Sequence, residues 1–287
     1  MPDMNFFLHL VISISVVLMN GLPYGLILGR GKILHFGIMG TSLVSTYGIF
    51  LVLMNGGGYF LGFIAGLGIA ILLALVFSWL AFRLDSDSFG ILTIALHLAL
   101  LAVVLNWIDL TGGAMGIAHI PRAPGLGDPR YFALVTSTVA LIWGFFLWKI
   151  DRGPLGRRLT ALAENPSHAR SLGISREKVY TTVFVLSAVG SVLANLFYPQ
   201  YIGLVHPSDL TFYFMIMYIM FIVAGMGGGI PGVALSCILL TILKEAIRFL
   251  PFPSGALGPL RLIVFGMILL VAVYLRREKL FPVPRTV

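Results

Sequence analysis

The sequence predicts an all-α polytopic membrane protein with about nine transmembrane helices, eight to ten being compatible, some broken by glycine or proline. Three observations predict it. Hydrophobic residues make up 59% of the 287 and charged residues only 10%, where a soluble domain carries about 25% charged residues. Apolar stretches close to the roughly 20 residues a bilayer core requires recur from end to end. The polar residues gather in short intervals, the longest running from Asp151 to Lys178. A soluble protein this poor in charge could not cover its own surface.

The apolar stretches fall at 6–29, 35–54, 58–82, 88–107, 131–150, 179–199, 210–226, 230–249 and 258–275. They form one transmembrane domain over 1–287, with a polar loop at 151–178 inside it. The first stretch does not resemble a cleavable signal, because Pro2 and Asp3 precede it and no basic segment opens it. The single cysteine, Cys237, allows no internal disulfide and reads as a small packing residue. The net charge of +8 points to anionic lipid at one membrane face rather than to nucleic acid.

Charge also predicts orientation. With the 151–178 loop inside the cell, Arg30, Lys32, Arg83, Lys149, Arg152, Arg157, Arg158, Arg170, Arg176, Lys178, Arg276, Arg277, Lys279 and Arg285 all lie inside. Only Arg122, Arg130, Lys244, Arg248 and Arg261 lie towards the outside. Cytoplasmic loops carry the excess of Lys and Arg, so the N-terminus is expected outside and the C-terminus in the cytoplasm.

Several helices carry breakers. Asn20-Gly21-Leu22-Pro23 interrupts the first span, and the carbonyl freed by proline needs another donor. This predicts a kink or a discontinuous helix beside a substrate path. Gly37, Gly40, Thr41, Ser45 and Gly48 in the second span, with Gly62, Gly66 and Gly68 in the third, read as close helix packing. His35 is placed near the inner boundary, at the interface. Ser187, Gly190, Ser191 and Asn195 form a small polar stripe on the sixth span. Gly225-Met226-Gly227-Gly228-Gly229-Ile230-Pro231-Gly232 predicts a turn between spans seven and eight. Glu245 and Arg248 stand three apart and could pair, and with Lys244 they lie where snorkelling explains them equally well. The loop 108–130 is long for a compact membrane protein, which suits a lid or docking surface on the side where substrate arrives.

Catalytic chemistry is missing. Asp3, Asp85, Asp87, Asp109, Asp128, Asp151, Glu164, Glu177, Asp209 and Glu278 fall in loops or at helix ends, and Glu245 is close to one. Proton-driven transporters place such groups within the membrane. No HExxH or GxSxG occurs, the glycines at Gly112–Gly116 lack the lysine of a phosphate loop, and the histidines have no metal spacing. No cofactor, metal or catalytic residue is expected, and any uphill transport must draw energy from a partner. The path is expected to run past Asn20, Thr93, His97, Ser187 and Asn195. A self-sufficient secondary transporter or channel for a small neutral solute such as urea or an amide is the alternative.

The polar loop contains good helix formers from Leu159 to Leu172, interrupted at Asn165-Pro166. Asn165 suits an N-cap, Pro166 the first helical turn and Gly173 a C-cap, which predicts a short helix at 166–172. Ala169-x-x-x-Gly173 resembles the core of the cytoplasmic loop of bacterial ABC-importer permeases, although Ser167 and His168 stand where an acidic residue often opens that motif. Gly156-Arg157-Arg158-Leu159, Ala161-Leu162, Glu164-Asn165 and Leu172-Gly173-Ile174 resemble the branched-chain amino acid ABC-transporter permease family. So do Leu110–Ile117 with Ile120-Pro121-Arg122, the Gly225–Gly232 run, Glu245-Ala246-Ile247-Arg248, and Arg276-Arg277 with Leu280-Phe281-Pro282. The resemblance spans roughly residues 85–285.

The resemblance implies a subunit working with ABC ATPase subunits, a second related permease and a periplasmic or extracellular substrate-binding protein. Arg158, Glu164, Asn165, Pro166, His168, Ala169, Arg170, Leu172 and Gly173 would then meet the ATPase. Thr111, Gly112, Gly113 and Arg122 would face the binding protein. The cargo would be a branched-chain or other hydrophobic amino acid, or a related amide or urea compound.

Overall fold

A computed structural model describes residues 4–225 and 228–249, together with 263, 264, 266–268, 270, 271 and 274. The long helices are α1 (Met4–Tyr24), α2 (Ile38–Met54), α3 (Tyr59–Arg83) and α4 (Ser86–Asn106). After the four-residue α5 (Ile108–Thr111) come α6 (Pro129–Arg152), α7 (Pro154–Glu164) and α8 (Pro166–Ser171). α9 (Arg176–Ile202), α10 (Phe212–Gly225) and α11 (Gly229–Ala246) complete the order. A two-residue antiparallel pair joins β1 (Ile117–Ala118) to β2 (Leu204–Val205).

Among the described residues six segments are long and apolar enough to cross a membrane, the first running from Met4 to Arg30, and α2 and α10 are shorter apolar helices. They coincide in order and place with the first eight expected spans. The ninth, at 258–275, and the basic end with Arg276, Arg277, Lys279 and Arg285 lie outside the described residues or almost so. The end carrying α7 and α8 also holds Arg30, Lys32, Arg83, Lys149, Arg152 and Arg176, while Arg122, Arg130 and Lys244 lie at the opposite end. At the α7–α8 end, Arg83, Lys149, Arg152 and Arg176 lie over the rings of Trp79, Phe145, Trp148 and Tyr180, an arrangement suited to a membrane–water boundary.

α1 and α9 are the inner pair. The share of buried residues is 67% in the first apolar span and 61% in α9, against 28% in α3. α3 packs on α2 and α9 and turns Phe60, Leu61, Leu72 and Trp79 outward, as a helix facing lipid should. The α2–α3 contact is tight because glycine meets glycine: a Cβ on Gly48 would stand 3.0 Å from the Gly66 Cα. Gly68, expected in the same contact, instead faces open space.

Of the two expectations for the first span, a kink or a discontinuous helix, the structure contradicts the second, for Pro23 does not interrupt the helix. α1 passes through it and continues as a π-helix over Gly25–Arg30, with Gly31 N–H donating to Leu26 C=O at 2.9 Å. The carbonyl that Pro23 leaves free, Met19 C=O, accepts from Trp143 Nε1 on α6 at 3.1 Å. A tertiary donor thus replaces the missing helical one. The chain after Arg30 then folds back among the helices. This carries His35 into a buried cage of Tyr24, Phe77, Phe89 and Phe184 rather than to an interface. α10 ends at Gly225 and α11 begins at Gly229, within the glycine run expected to separate them, with Gly225 and Gly232 in backbone contact and Ser236 Oγ donating to Phe221 C=O. Met226 and Gly227 lie outside the described residues.

Candidate substrate path and coupling surface

The polar stripe of α9 faces α1 and α2 at mid-depth. Asn20 Nδ2 donates to Ser42 Oγ at 3.0 Å, and Ser191 Oγ donates to Asn20 Oδ1 at 2.8 Å. Asn195 Nδ2 donates to Ser191 C=O at 2.7 Å and to Ser45 Oγ at 3.4 Å. A glycine permits this approach, since a Cβ on Gly190 would lie 2.4 Å from Met19 O and 2.6 Å from Pro23 Cγ. Polar groups inside a bilayer must find such partners. The network ties three helices together where they border a cavity.

That cavity, of about 100 Å³, lies among α1, α2, α9, α10 and α11. Asn20, Ser42, Thr46 and Asn195 supply polar groups on one side, and Val16, Val17, Met39, Phe214, Met217 and Phe221 supply apolar walls. His206, Asp209, Thr241 and Lys244 close the end away from α7 and α8. Of the five residues expected on the path, the structure brings Asn20 and Asn195 to the cavity and leaves three away from it. Thr93 Oγ1 donates to Gly90 C=O at 2.9 Å and accepts from Phe36 N–H at 3.0 Å, fastening the refolded segment to α4. His97 is fully buried against α2 at Gly40, with no hydrogen-bond partner for either ring nitrogen among the described residues. Ser187 is buried on α9 towards the α7–α8 end. A polar residue within a span can face any neighbour, and only packing selects the cavity.

Sequence reasoning missed Ser42, Thr46, Tyr218 and Thr241, which also line the cavity, left Lys244 open between snorkelling and function, and read Asp209 as a loop carboxylate. The available signal was the three-residue spacing of Thr241 and Lys244, which puts both on one face of α11. Asp209 sits in a short 3-10 turn, Pro207–Leu210, between α9 and α10. Burial raises its carboxyl above the ordinary carboxylate range, against the opposing pull of His206 and Lys244. Lys244 Nζ lies 3.3 Å from Glu245 Oε1, and His9 Nε2 lies 3.7 Å from Glu245 Oε2. The expected Glu245–Arg248 pair involves an Arg248 side chain outside the described residues.

At the α7–α8 end, Asp151 is a buried anchor rather than the start of a solvated loop. α6 extends through Arg152, and Arg30 Nε and Nη2 donate to the two Asp151 oxygens at 2.6 and 3.0 Å. Ile230 N–H donates to the same carboxylate at 3.4 Å, so one side chain fastens α1, α6 and the start of α11.

The remainder of the 151–178 segment is helical. α7 buries Gly156, Leu159 and Leu162 and exposes Arg157 and Arg158. Asn165 Oδ1 accepts from His168 N–H at 3.0 Å and Pro166 opens α8. Gly173 has φ +78°, and its N–H donates to Arg170 C=O. Among the nine residues named for this surface, Ala169 is buried and the other eight are exposed, Leu172 at 68%. Burying Ala169 lets α8 seat on α7 while its neighbours point away.

The loop 108–130 folds as a cap on the opposite end. β1 pairs with β2, Ala123 N–H donates to Gln200 Oε1 at 2.9 Å, and Tyr59 Oη donates to Pro121 C=O. Thr111 and Gly113 are buried in this cap, with Thr111 Oγ1 donating to Val104 and Trp107 C=O. They cannot be touched directly from outside. Gly112 and Arg122 are partly exposed, and Arg122 Nη1 donates to Gly127 C=O at 2.8 Å.

Comparison with known proteins completes the picture. Residues 6–273 match the family described as branched-chain amino acid transport system, permease component. The chain is 26% identical over 310 residues to the high-affinity branched-chain amino acid transport system permease protein LivM of Escherichia coli (strain K12), covering 97% of this chain and 68% of that protein. It is 26% identical over 301 residues to a probable branched-chain amino acid transport permease protein LivM of Methanocaldococcus jannaschii, covering 93% and 83%. Its fold is similar to a chain of PsaBC from Streptococcus pneumoniae in complex with Fab, with a TM-score of 0.54 at 17% identity over 99% of this chain and 93% of that one.

Proposed function

The chain belongs to the branched-chain amino acid transport permease family, and from that membership we propose that it is the membrane-spanning subunit of an ATP-driven importer of branched-chain or other hydrophobic amino acids. Hydrolysis takes place on separate ABC ATPase subunits, a second related permease completes the path, and a substrate-binding protein delivers the cargo. The α7–α8 end faces the cytoplasm, as the basic residues gathered there favour, and the N-terminus is outside. Substrate enters beneath the 108–130 cap and passes the cavity bounded by Asn20 and Asn195.

One observation carries the coupling. α8 is a capped helix seated by Ala169 that projects Leu172 and the basic Arg170 into water. An exposed leucine beside an exposed arginine on an anchored helix suits a protein socket. A force applied to α8 reaches α7 directly, and α7 packs on α9 and on the π-helical end of the first span.

The test is purification of the tagged chain from its native membrane with identification of bound subunits, followed by ATP-driven leucine uptake in proteoliposomes. ATPase subunits are expected with the wild type and lost with Leu172→Glu, while Cys237, fully buried in α11, stays unreactive in both. A chain that purifies alone and moves leucine, urea or an amide unaided would overturn the reading in favour of a self-sufficient transporter.

A further inference from the structure

The end of the cavity away from α7 and α8 differs from the rest of its wall. It carries one free acid and one amine from two separate elements, Asp209 from the 3-10 turn and Lys244 from α11. The Asp209 carboxylate makes no hydrogen bond and no ion pair within 4 Å among the described residues. Lys244 holds Glu245, which is held in turn by His9. An ammonium has three donors, so Lys244 has capacity left. One turn before it on the same helix face, the Thr241 hydroxyl is buried, lines the same cavity and has no hydrogen-bond partner among the described residues. A buried polar group without a partner is costly; Thr241 is one, and it shares the cavity with the half-buried, unpaired Asp209 and with the spare donors of the half-buried Lys244, a set that a ligand would complete.

We propose that this end of the cavity recognises the backbone of a zwitterionic apolar α-amino acid, with Lys244 and Thr241 taking the carboxylate and Asp209 the ammonium. The apolar side chain then lies against Val17, Met39, Phe214 and Met217. A neutral solute such as urea would leave the Asp209 carboxylate unpaired and bring no carboxylate to the spare donors of Lys244, and a site built around polar partners rejects ligands that lack them. The inference rests on the importer reading and deepens it by placing substrate discrimination in the permease itself.

The test uses truncated leucines. Binding of leucine, 4-methylpentanoate, which lacks the amine, and 3-methylbutylamine, which lacks the carboxylate, is measured on the full chain in lipid nanodiscs with whatever subunits co-purify. Asp209→Asn is expected to weaken leucine binding roughly 10- to 100-fold and to leave 4-methylpentanoate unchanged. Lys244→Met is expected to weaken leucine to a similar degree and to leave 3-methylbutylamine unchanged. Equal losses for whole and truncated ligands would mean the residues only hold the fold, and would overturn the proposal. So would a wild type that binds no leucine. If either variant exposes Cys237, Asp209→Glu and Lys244→Arg carry the same test, since each must keep the preference for leucine over the truncated ligands. ATP-driven uptake is scored separately. Uptake by a wild type without this selectivity overturns the clamp and leaves the importer, and selectivity without uptake overturns the importer alone.

Discussion

The indole Nε1 of Trp143 donates to the carbonyl of Met19 at 3.1 Å, and Met19 is four residues before Pro23, whose nitrogen has no hydrogen to give it. The bond therefore repairs a proline inside a membrane span. Trp143→Phe should cost about 1–2 kcal/mol. The cost should shrink in a Pro23→Ala background, where the helix supplies its own donor. Thermal unfolding of the detergent-solubilised protein, followed by reactivity of the Cys237 thiol, measures both arms of the cycle.

Two glycines in comparable helices should respond oppositely. Gly190→Ala drives a Cβ into the Met19 carbonyl and Pro23, neither of which can move without unseating α1, so a loss of about 1–3 kcal/mol is expected. Gly68→Ala meets nothing within 4 Å and should be neutral or raise stability by up to about 1 kcal/mol. The same thiol assay distinguishes them.

The Arg30–Asp151 pair is asymmetric. The Asp151 side chain is 3% exposed and that of Arg30 is 39% exposed. Arg30→Met strands a buried carboxylate and should cost about 2 kcal/mol, below the usual value for a fully buried pair because water reaches one side. Asp151→Asn leaves an arginine that can turn to solvent, so about 1 kcal/mol is expected. Thermal unfolding of the two single variants checks the order, and equal losses would contradict the burial argument.

Asn165→Ala removes the acceptor that caps α8 and should destabilise that helix by about 1 kcal/mol. Hydrogen exchange at the α8 amides should quicken while α9 is unaffected, because α8 is a separate short helix.

Asp209 should work against stability in the empty protein. Burial raises its carboxyl above the ordinary range, so ionisation is disfavoured in the folded state. Its contribution is fully present below the unfolded carboxyl value, about 4, and is lost as pH rises through the higher folded value. Asp209→Asn should flatten that part of the pH–stability profile and leave the protein at neutral pH more stable than the wild type. It should also abolish the preference for leucine over 4-methylpentanoate. Unfolding profiles from pH 4 upward, with and without leucine, read both effects.

Much of the helix order was legible because it is written locally. Each span needs only its own apolar run, and the α8 cap needs only Asn165, Pro166 and Gly173 within a few residues of one another. The same local logic failed at Pro23, because the donor that spares the helix comes from Trp143, 120 residues later in the chain. It failed at His35 because four rings from four different segments make that cage. It named Asn20 and Asn195, polar groups of a broken and a striped helix that the structure brings to the cavity, yet treated Thr93, His97 and Ser187 as equivalent.

By itself, then, the sequence determined that this is a multi-pass helical membrane protein of the branched-chain permease family, since hydrophobic length, breakers and ordered motifs are properties of contiguous residues. Only the tertiary structure decided which polar groups share a space. The cavity joins Asn20, Ser42, Asn195, Asp209 and Lys244 from segments far apart in the chain, and their meeting depends on helix rotation and crossing. Those are set by glycine contacts such as Gly48–Gly66 and Gly190–Met19, whose partners no single stretch reveals.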